Sequence, residues 1–160
     1  MDPLLDRFRD AMAEVPAGIA VVVARDEAGR PVGATVSSMT SLSIDPPLVI
    51  ICLAETSDTR HSLDVGHRFT MQLLRDGQQD VARTMARKGI GKFDGIPLRE
   101  NADGSLEMEG CAVTMHCTVD AIVPGGDHVI VVGEVRDARV HGGDPLLYHR
   151  RAIAPIQTAS

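Results

Sequence analysis

The stretch Gly33-Ala-Thr-Val-Ser-Ser-Met-Thr-Ser-Leu-Ser-Ile-Asp-Pro-Pro-Leu48 decides how the rest of the chain is read. Run as an extended strand, it places Thr35, Ser37, Met39, Ser41 and Ser43 on one face and Ala34, Val36, Ser38, Thr40, Leu42 and Ile44 on the other. One face is then lined with small hydroxyls, where a core strand carries large β-branched or aromatic residues. Two readings follow: a wall that leaves room for something flat and polar, or a solvated strand and loop of an antiparallel sheet.

Working outward, Ile19 to Val23 reads as a buried strand, and Asp26-Glu-Ala-Gly-Arg-Pro31 turns it back into the opening stretch as a hairpin. Asp45-Pro-Pro47 interrupts the ladder, and Leu48 to Leu53 resumes it as a second apolar strand. Phe69 to Leu74 alternates as a half-buried strand. Cys111 to Val119, Val129 to Val135 and a weaker edge near Ala138 to His141 add three more. Helical spacing appears from Pro3 to Val15, with Asp2 as a candidate N-cap, and from Gln78 to Lys88. Gly89 to Asp103 is rich in Gly, Asn and Pro and reads either as a mobile flap or as a settled surface loop. Many short strands with few helices predict a mainly β domain, a barrel or a sandwich.

The 160 residues suit one domain, with a core from about residue 8 to 150 and a short C-terminal tail. A formal charge of −6, with both signs interleaved, gives no basic patch for a nucleic acid. No apolar run approaches a membrane span and no basic-then-apolar leader opens the chain, so a cytoplasmic protein is expected. Cys52, Cys111 and Cys117 are odd in number and not closely paired, which points to free thiols rather than disulfides or structural metal. The six histidines lack metal-ligand spacing, and Gly-x-Ser-x-Gly, Walker and Gly-x-Gly-x-x-Gly motifs are all missing. Two places remain for chemistry. Thr56-Ser-Asp-Thr-Arg-His-Ser62 reads as a capped helix start near Arg60, an anion site or plain capping. His128 stands alone in the turn Pro124-Gly-Gly-Asp-His128.

The order of these features resembles the flavin-reductase-like domain, an FMN-binding split β-barrel found in the small reductase components of two-component flavin monooxygenases. The resemblance rests on Pro16-Ala-Gly-Ile-Ala-Val-Val22, on Gly33-x-Thr-x-Ser-Ser-x-x-Ser-x-Ser-x-x-Pro-Pro-Leu48, on Gly126-Asp-His128 with Gly133, and on Pro145-Leu-Leu-Tyr148. It implies that Thr35, Val36, Ser37, Ser38 and Met39 hold the isoalloxazine and that Ser41 and Leu42 continue the pocket. By the same resemblance Ser57, Thr59, Arg60 and Ser62 receive the flavin phosphate, and Arg87 and Lys88 border the phosphate or adenylate end. His128 matches the histidine beside the nicotinamide, and Arg150 with Arg151 either favours a 2′-phosphate or is solvated.

The implied activity is that of an NAD(P)H:flavin oxidoreductase. Hydride passes from NADH or NADPH to FMN or FAD, and the reduced flavin serves a separate monooxygenase. A homodimer is expected. The alternative is a flavin- or haem-binding carrier or sensor on the same barrel. The 2% aromatic content, with no Trp, suits a flavin that exchanges as a substrate. Ala17, Ala24, Val36 and Arg150 to Ile153 depart from the family pattern.

Overall fold

The computed structural model describes residues 3–89 and 91–156, so the candidate cap Asp2, residue 90 of the glycine-rich segment and residues 157–160 of the tail lie outside the described residues. In chain order the elements are α1 (Pro3–Ala13), β1 (Ala17–Gly18), β2 (Ala20–Arg25), β3 (Pro31–Val36), β4 (Thr40–Ser43), β5 (Leu48–Ala54), α2 (Asp58–His61) and β6 (Arg68–Leu73). They continue with α3 (Gln79–Met85), β7 (Leu98–Glu100), β8 (Leu106–Met108), β9 (Val113–Gly125), β10 (His128–Val140), β11 (Leu146–His149) and β12 (Ala152–Pro155). None of the described helices is long and apolar enough to cross a membrane.

Seven strands form one antiparallel sheet in the order β3-β2-β6-β9-β10-β5-β4. Its two outermost strands, β3 and β4, are joined by residues 37–39 alone. At about 4.8 Å per strand, a flat sheet of this width separates its edges by roughly 29 Å. Three linking residues reach about 14 Å. The sheet must therefore curl until its edges approach each other. Register shifts in the β9–β10 ladder at Val132/Gly133 and Val135/Asp137 supply local coiling.

β2 shows why the interior is stable. Ala20, Val22 and Ala24 face the barrel core with Ile51, Leu53, Phe69 and Val131. Val21 and Val23, with Ile19 just before the strand, face a second core with Leu74, Met85 and Leu146. Ile19 to Val23 are all at most 2% exposed. Each buried valine removes apolar area worth about 1.5–3 kcal/mol from water. The alternation along one strand thus cements two layers at once.

Two rings complete the packing by lying over glycines. A Cβ added at Gly133 would meet Phe69 Cζ at 2.6 Å, and one added at Gly33 would meet Phe93 Cζ at 2.7 Å. One acid is also buried: Glu107, 5% exposed, is matched by Arg99, by Asn101 Nδ2 at 3.2 Å and by His116 Nε2 at 3.1 Å. Burial lowers the pKa of His116, and the nearby Arg139 lowers it further.

The hairpin of β2 with β3, the β5 strand and the β6 strand match the sequence expectation. The opening stretch does not run as one strand. It breaks at residues 37–39, because Ser38 Oγ turns inward to accept from Cys52 N at 2.8 Å. The helix expected over 78–88 ends at Met85, where Lys92 Nζ donates to the Met85 carbonyl at 3.4 Å. The weak edge near 138–141 is the far end of β10, paired with β9 as far as Val140. The tail folds back as the β11–β12 hairpin, and β11 also pairs with β1.

The ring over Gly133 gives a direct test of the packing. Gly133→Ala is expected to lower unfolding stability by about 1–3 kcal/mol, with partial recovery in the double variant carrying Phe69→Leu. Urea denaturation midpoints of the three variants check this.

Candidate active site

The curled sheet leaves a cleft beside its linked edges. A cavity of about 570 Å3 opens there, between β3, the 37–39 link, β5, the entry to α2 and the residues that follow α3. This volume is in the ordinary range for small-molecule sites. Ala34, Ala54, Ala86 and Gly89, from three segments of the chain, line it with little or no side chain.

Eight of the expected residues line this one cavity: Thr35, Val36, Ser37, Ser38, Ser57, Arg87, Lys88 and His128. They do not all face it as ligand donors. Thr35 Oγ1 donates to the Ala82 carbonyl at 2.7 Å, which ties α3 to β3. Ser38 Oγ donates to the Cys52 carbonyl at 3.3 Å and accepts from Cys52 N, which ties the link to β5. These two hydroxyls shape the wall. Ser37 is exposed, and no hydrogen bond of its hydroxyl occurs among the described residues.

The other expected residues lie elsewhere. Met39 packs against the barrel core, and Ser41 and Leu42 sit on the exposed edge strand β4. Arg60 lies on α2 and bends back to donate from Nη1 to the Leu63 carbonyl at 3.0 Å. Ser62 lines a separate cavity of about 320 Å3 together with Arg68, Asp103 and Ser105. Arg150 pairs with Glu14 at 2.9 Å, and Arg151 with Asp10, so the β11–β12 turn is fastened to α1. Both arginines have positive φ, 50° and 62°. Their charges are thereby matched within the protein rather than presented to a ligand.

The electrostatics of the cavity are one-sided. Arg87, Lys88 and Lys92 all line it, and none has a carboxylate within ion-pair distance among the described residues. Lys88 Nζ reaches Thr56 Oγ1 at 3.4 Å. Asp58 is the acid in the lining. On α2, outside the lining, Thr59 Oγ1 is buried without a hydrogen-bond partner, and Arg60 Nε lies 3.9 Å from Glu55 Oε2. Three lining cations with no carboxylate in ion-pair distance suit an anion. His128 enters from β10, opposite Ala54 in the ladder with β5. Its Nδ1 lies 2.7 Å from Asp127 Oδ1, a hydrogen bond that lowers the Asp127 pKa. With Nδ1 so engaged, Nε2 is the ring nitrogen left for a ligand.

Small lining residues, hydroxyl and backbone groups at the link and a cluster of cations fit a flavin nucleotide. Lys92 was not singled out from the sequence, where it sits in the glycine-rich run Lys88 to Gly95; two lysines four residues apart were its only signal. Cys52 to Ala54 were read only as a core strand, since a β-strand that serves a core with one face shows no sign of what its other face meets.

Comparison with known proteins gives the family. A family model described as flavin reductase like domain matches residues 12–157. The actinorhodin polyketide dimerase of Streptomyces coelicolor is 40% identical over 154 residues, covering 96% of this chain and 87% of that one. The reductase component of 4-hydroxyphenylacetate 3-monooxygenase from Thermus thermophilus is 35% identical, covering 91% and 93%. Some curated relatives are longer, the chain spanning 46% and 62% of two from Rhizobium meliloti. Among solved structures, the NADH:FAD oxidoreductase of Streptomyces globisporus C-1027, in complex with NAD and FAD fragments, superposes with a TM-score of 0.89 at 27% identity over 98% of this chain and 96% of that one. By sequence, fold and site together, the chain belongs to the flavin reductase like domain family.

Proposed function

We propose that the chain works as one NAD(P)H:flavin oxidoreductase domain, taking FMN or FAD and a nicotinamide at the 570 Å3 cavity and supplying reduced flavin to a separate monooxygenase. The observation that carries this reading is the junction, in one cavity, of small lining residues, His128 and three cations with no carboxylate in ion-pair distance among the described residues. The Thermus relative, named as the reductase component of a monooxygenase, supports the separate partner.

A flavin bound there would supply the acceptor for a hydride given up by the nicotinamide. The protein's part is placement and exclusion of water. The 37–39 link presents Ser37 and backbone groups along the wall, and Ser38 keeps the link in position through Cys52. Arg87 and Lys88 draw the phosphate end toward the residues that follow α3. His128, oriented by Asp127, turns Nε2 toward a nicotinamide carboxamide. No nucleophile or metal is needed for these tasks. With Arg150 and Arg151 matched by Glu14 and Asp10, the reading favours NADH over NADPH.

Two copies and a cytoplasmic setting belong to the same reading. Leu5, Phe8 and Met12 stand on one face of α1 and are 42%, 59% and 50% exposed, an apolar stripe suited to a second copy of the chain. The three cysteines are free thiols, as suits a reducing compartment. A second reading directs the reducing equivalents to a polyketide instead of a monooxygenase; the 40% identity to a polyketide dimerase favours it.

Purified protein is expected to oxidise NADH only when FMN or FAD is added, followed at the nicotinamide absorbance. His128→Ala should raise the NADH KM by about threefold to tenfold and leave flavin affinity within about twofold. Flavin binding without turnover would instead support the carrier or sensor. A matching sedimentation experiment should find a dimer that Phe8→Asp converts to monomer; a monomeric unsubstituted chain would remove the second copy from this account.

A further inference from the structure

The chain has two lysines, Lys88 and Lys92, and both line the same cavity. They are held very differently. Lys88 is exposed, and its Nζ donates to Thr56 Oγ1 at 3.4 Å. Lys92 is partly buried, with Nζ donating to the Gly33 carbonyl at 2.8 Å and to the Met85 carbonyl at 3.4 Å. Met85 ends α3, so its carbonyl is among those a helix leaves open at its C-terminus, where a cation is favoured. Next to it, Phe93 packs on Gly33 from the other side of the backbone. One residue of β3 is thus gripped by two consecutive residues of the following loop. The ammonium is in place before any ligand arrives.

Two of its three N–H groups serve carbonyls, which leaves one for the cavity. No carboxylate lies within 4.0 Å of Nζ among the described residues. Burial lowers the Lys92 pKa, against a smaller opposing influence from Asp58. A fixed, partly desolvated charge without a counter-ion gains far more from an incoming anion than a solvated one does. Because the position is prepaid by two carbonyl bonds, little side-chain entropy is lost on binding.

We propose that Lys92 is the specificity residue that makes this site choose phosphorylated flavins over riboflavin, with Lys88 and Arg87 as outer, weaker contributors. The inference rests on the flavin reading of the cavity. It assigns to Lys92 a contact with a flavin phosphate or pyrophosphate oxygen, and to Gly33 and Met85 the task of aiming that contact. Riboflavin, which has the same ring and no phosphate, gains nothing from it.

The test is a fluorescence-quenching titration of FMN and of riboflavin against the unsubstituted protein, Lys92→Met and Lys88→Met. Lys92→Met should weaken FMN by about tenfold or more and leave riboflavin within about twofold, while Lys88→Met weakens FMN by less. Equal losses for both flavins would reduce Lys92 to a clamp on Gly33 and overturn the proposal, as would an unchanged FMN affinity. If Lys92→Met does not fold, reductive methylation of the unsubstituted protein with formaldehyde and cyanoborohydride, mapped by mass spectrometry, decides instead. FMN should then shield Lys92 where riboflavin at equal occupancy does not, and equal shielding overturns the proposal. An unsubstituted protein that binds neither flavin overturns the flavin reading itself, a result distinct from one that binds both alike.

Discussion

Everything in this structure depends on a short tether. Residues 37–39 join the two edge strands of a seven-stranded sheet, and Ser38 fixes the tether by bonding both N and O of Cys52. The tether forbids a flat sheet. It does not, however, let β3 and β4 pair, since each has only one neighbour in the sheet, β2 for β3 and β5 for β4. A barrel that is curled but unpaired along one line has a cleft there. The 570 Å3 cavity follows directly from how the sheet is closed.

The same economy governs the interior. β2 sends alternate residues into two cores, so α3, the β7–β8 hairpin and β11 rest on the outside of the strand whose other face fills the barrel. With three phenylalanines and no tryptophan available, bulk is placed where a glycine lets a ring approach the backbone. Phe93 on Gly33 does more than fill space. It settles the loop that carries Lys92 against β3, at the cavity wall. A chain of net charge −6 thereby gathers three cations and one acid, Asp58, around one cleft, with no carboxylate in ion-pair distance of the cations among the described residues. Low-dielectric walls focus such a field on an anionic ligand.

Much of this was legible in the residues. The β2–β3 hairpin, β5 and β6 follow from apolar runs bounded by turn residues, which is local information. Arg87, Lys88 and His128, expected from the order of their motifs, line one cavity. What could not be read was set by contacts between residues distant in sequence. Whether Ser38 continues a strand or turns into the sheet is decided by Cys52, 14 residues on. Thr35 looks like a ligand donor until its hydroxyl is seen to donate to the Ala82 carbonyl, 47 residues away. Arg150 looks free until Glu14 meets it across 136 residues. Lys92, in a run of glycines, carries no periodicity at all, and only the fold reveals that its amine is tucked beneath β3. The tail hairpin escaped notice because β11 and β12 are each four residues long.

The central claim is that the cleft beside the tether is where flavin binds. Hydrogen–deuterium exchange of the protein with and without saturating FMN tests it without relying on turnover. The account predicts slowed exchange in the 37–39 link, at the entry to α2 around residues 56–58 and in the segment after α3, with the β7–β8 hairpin unaffected. Protection confined to the separate cavity around Ser62, Arg68 and Ser105, or none at the link, would contradict it.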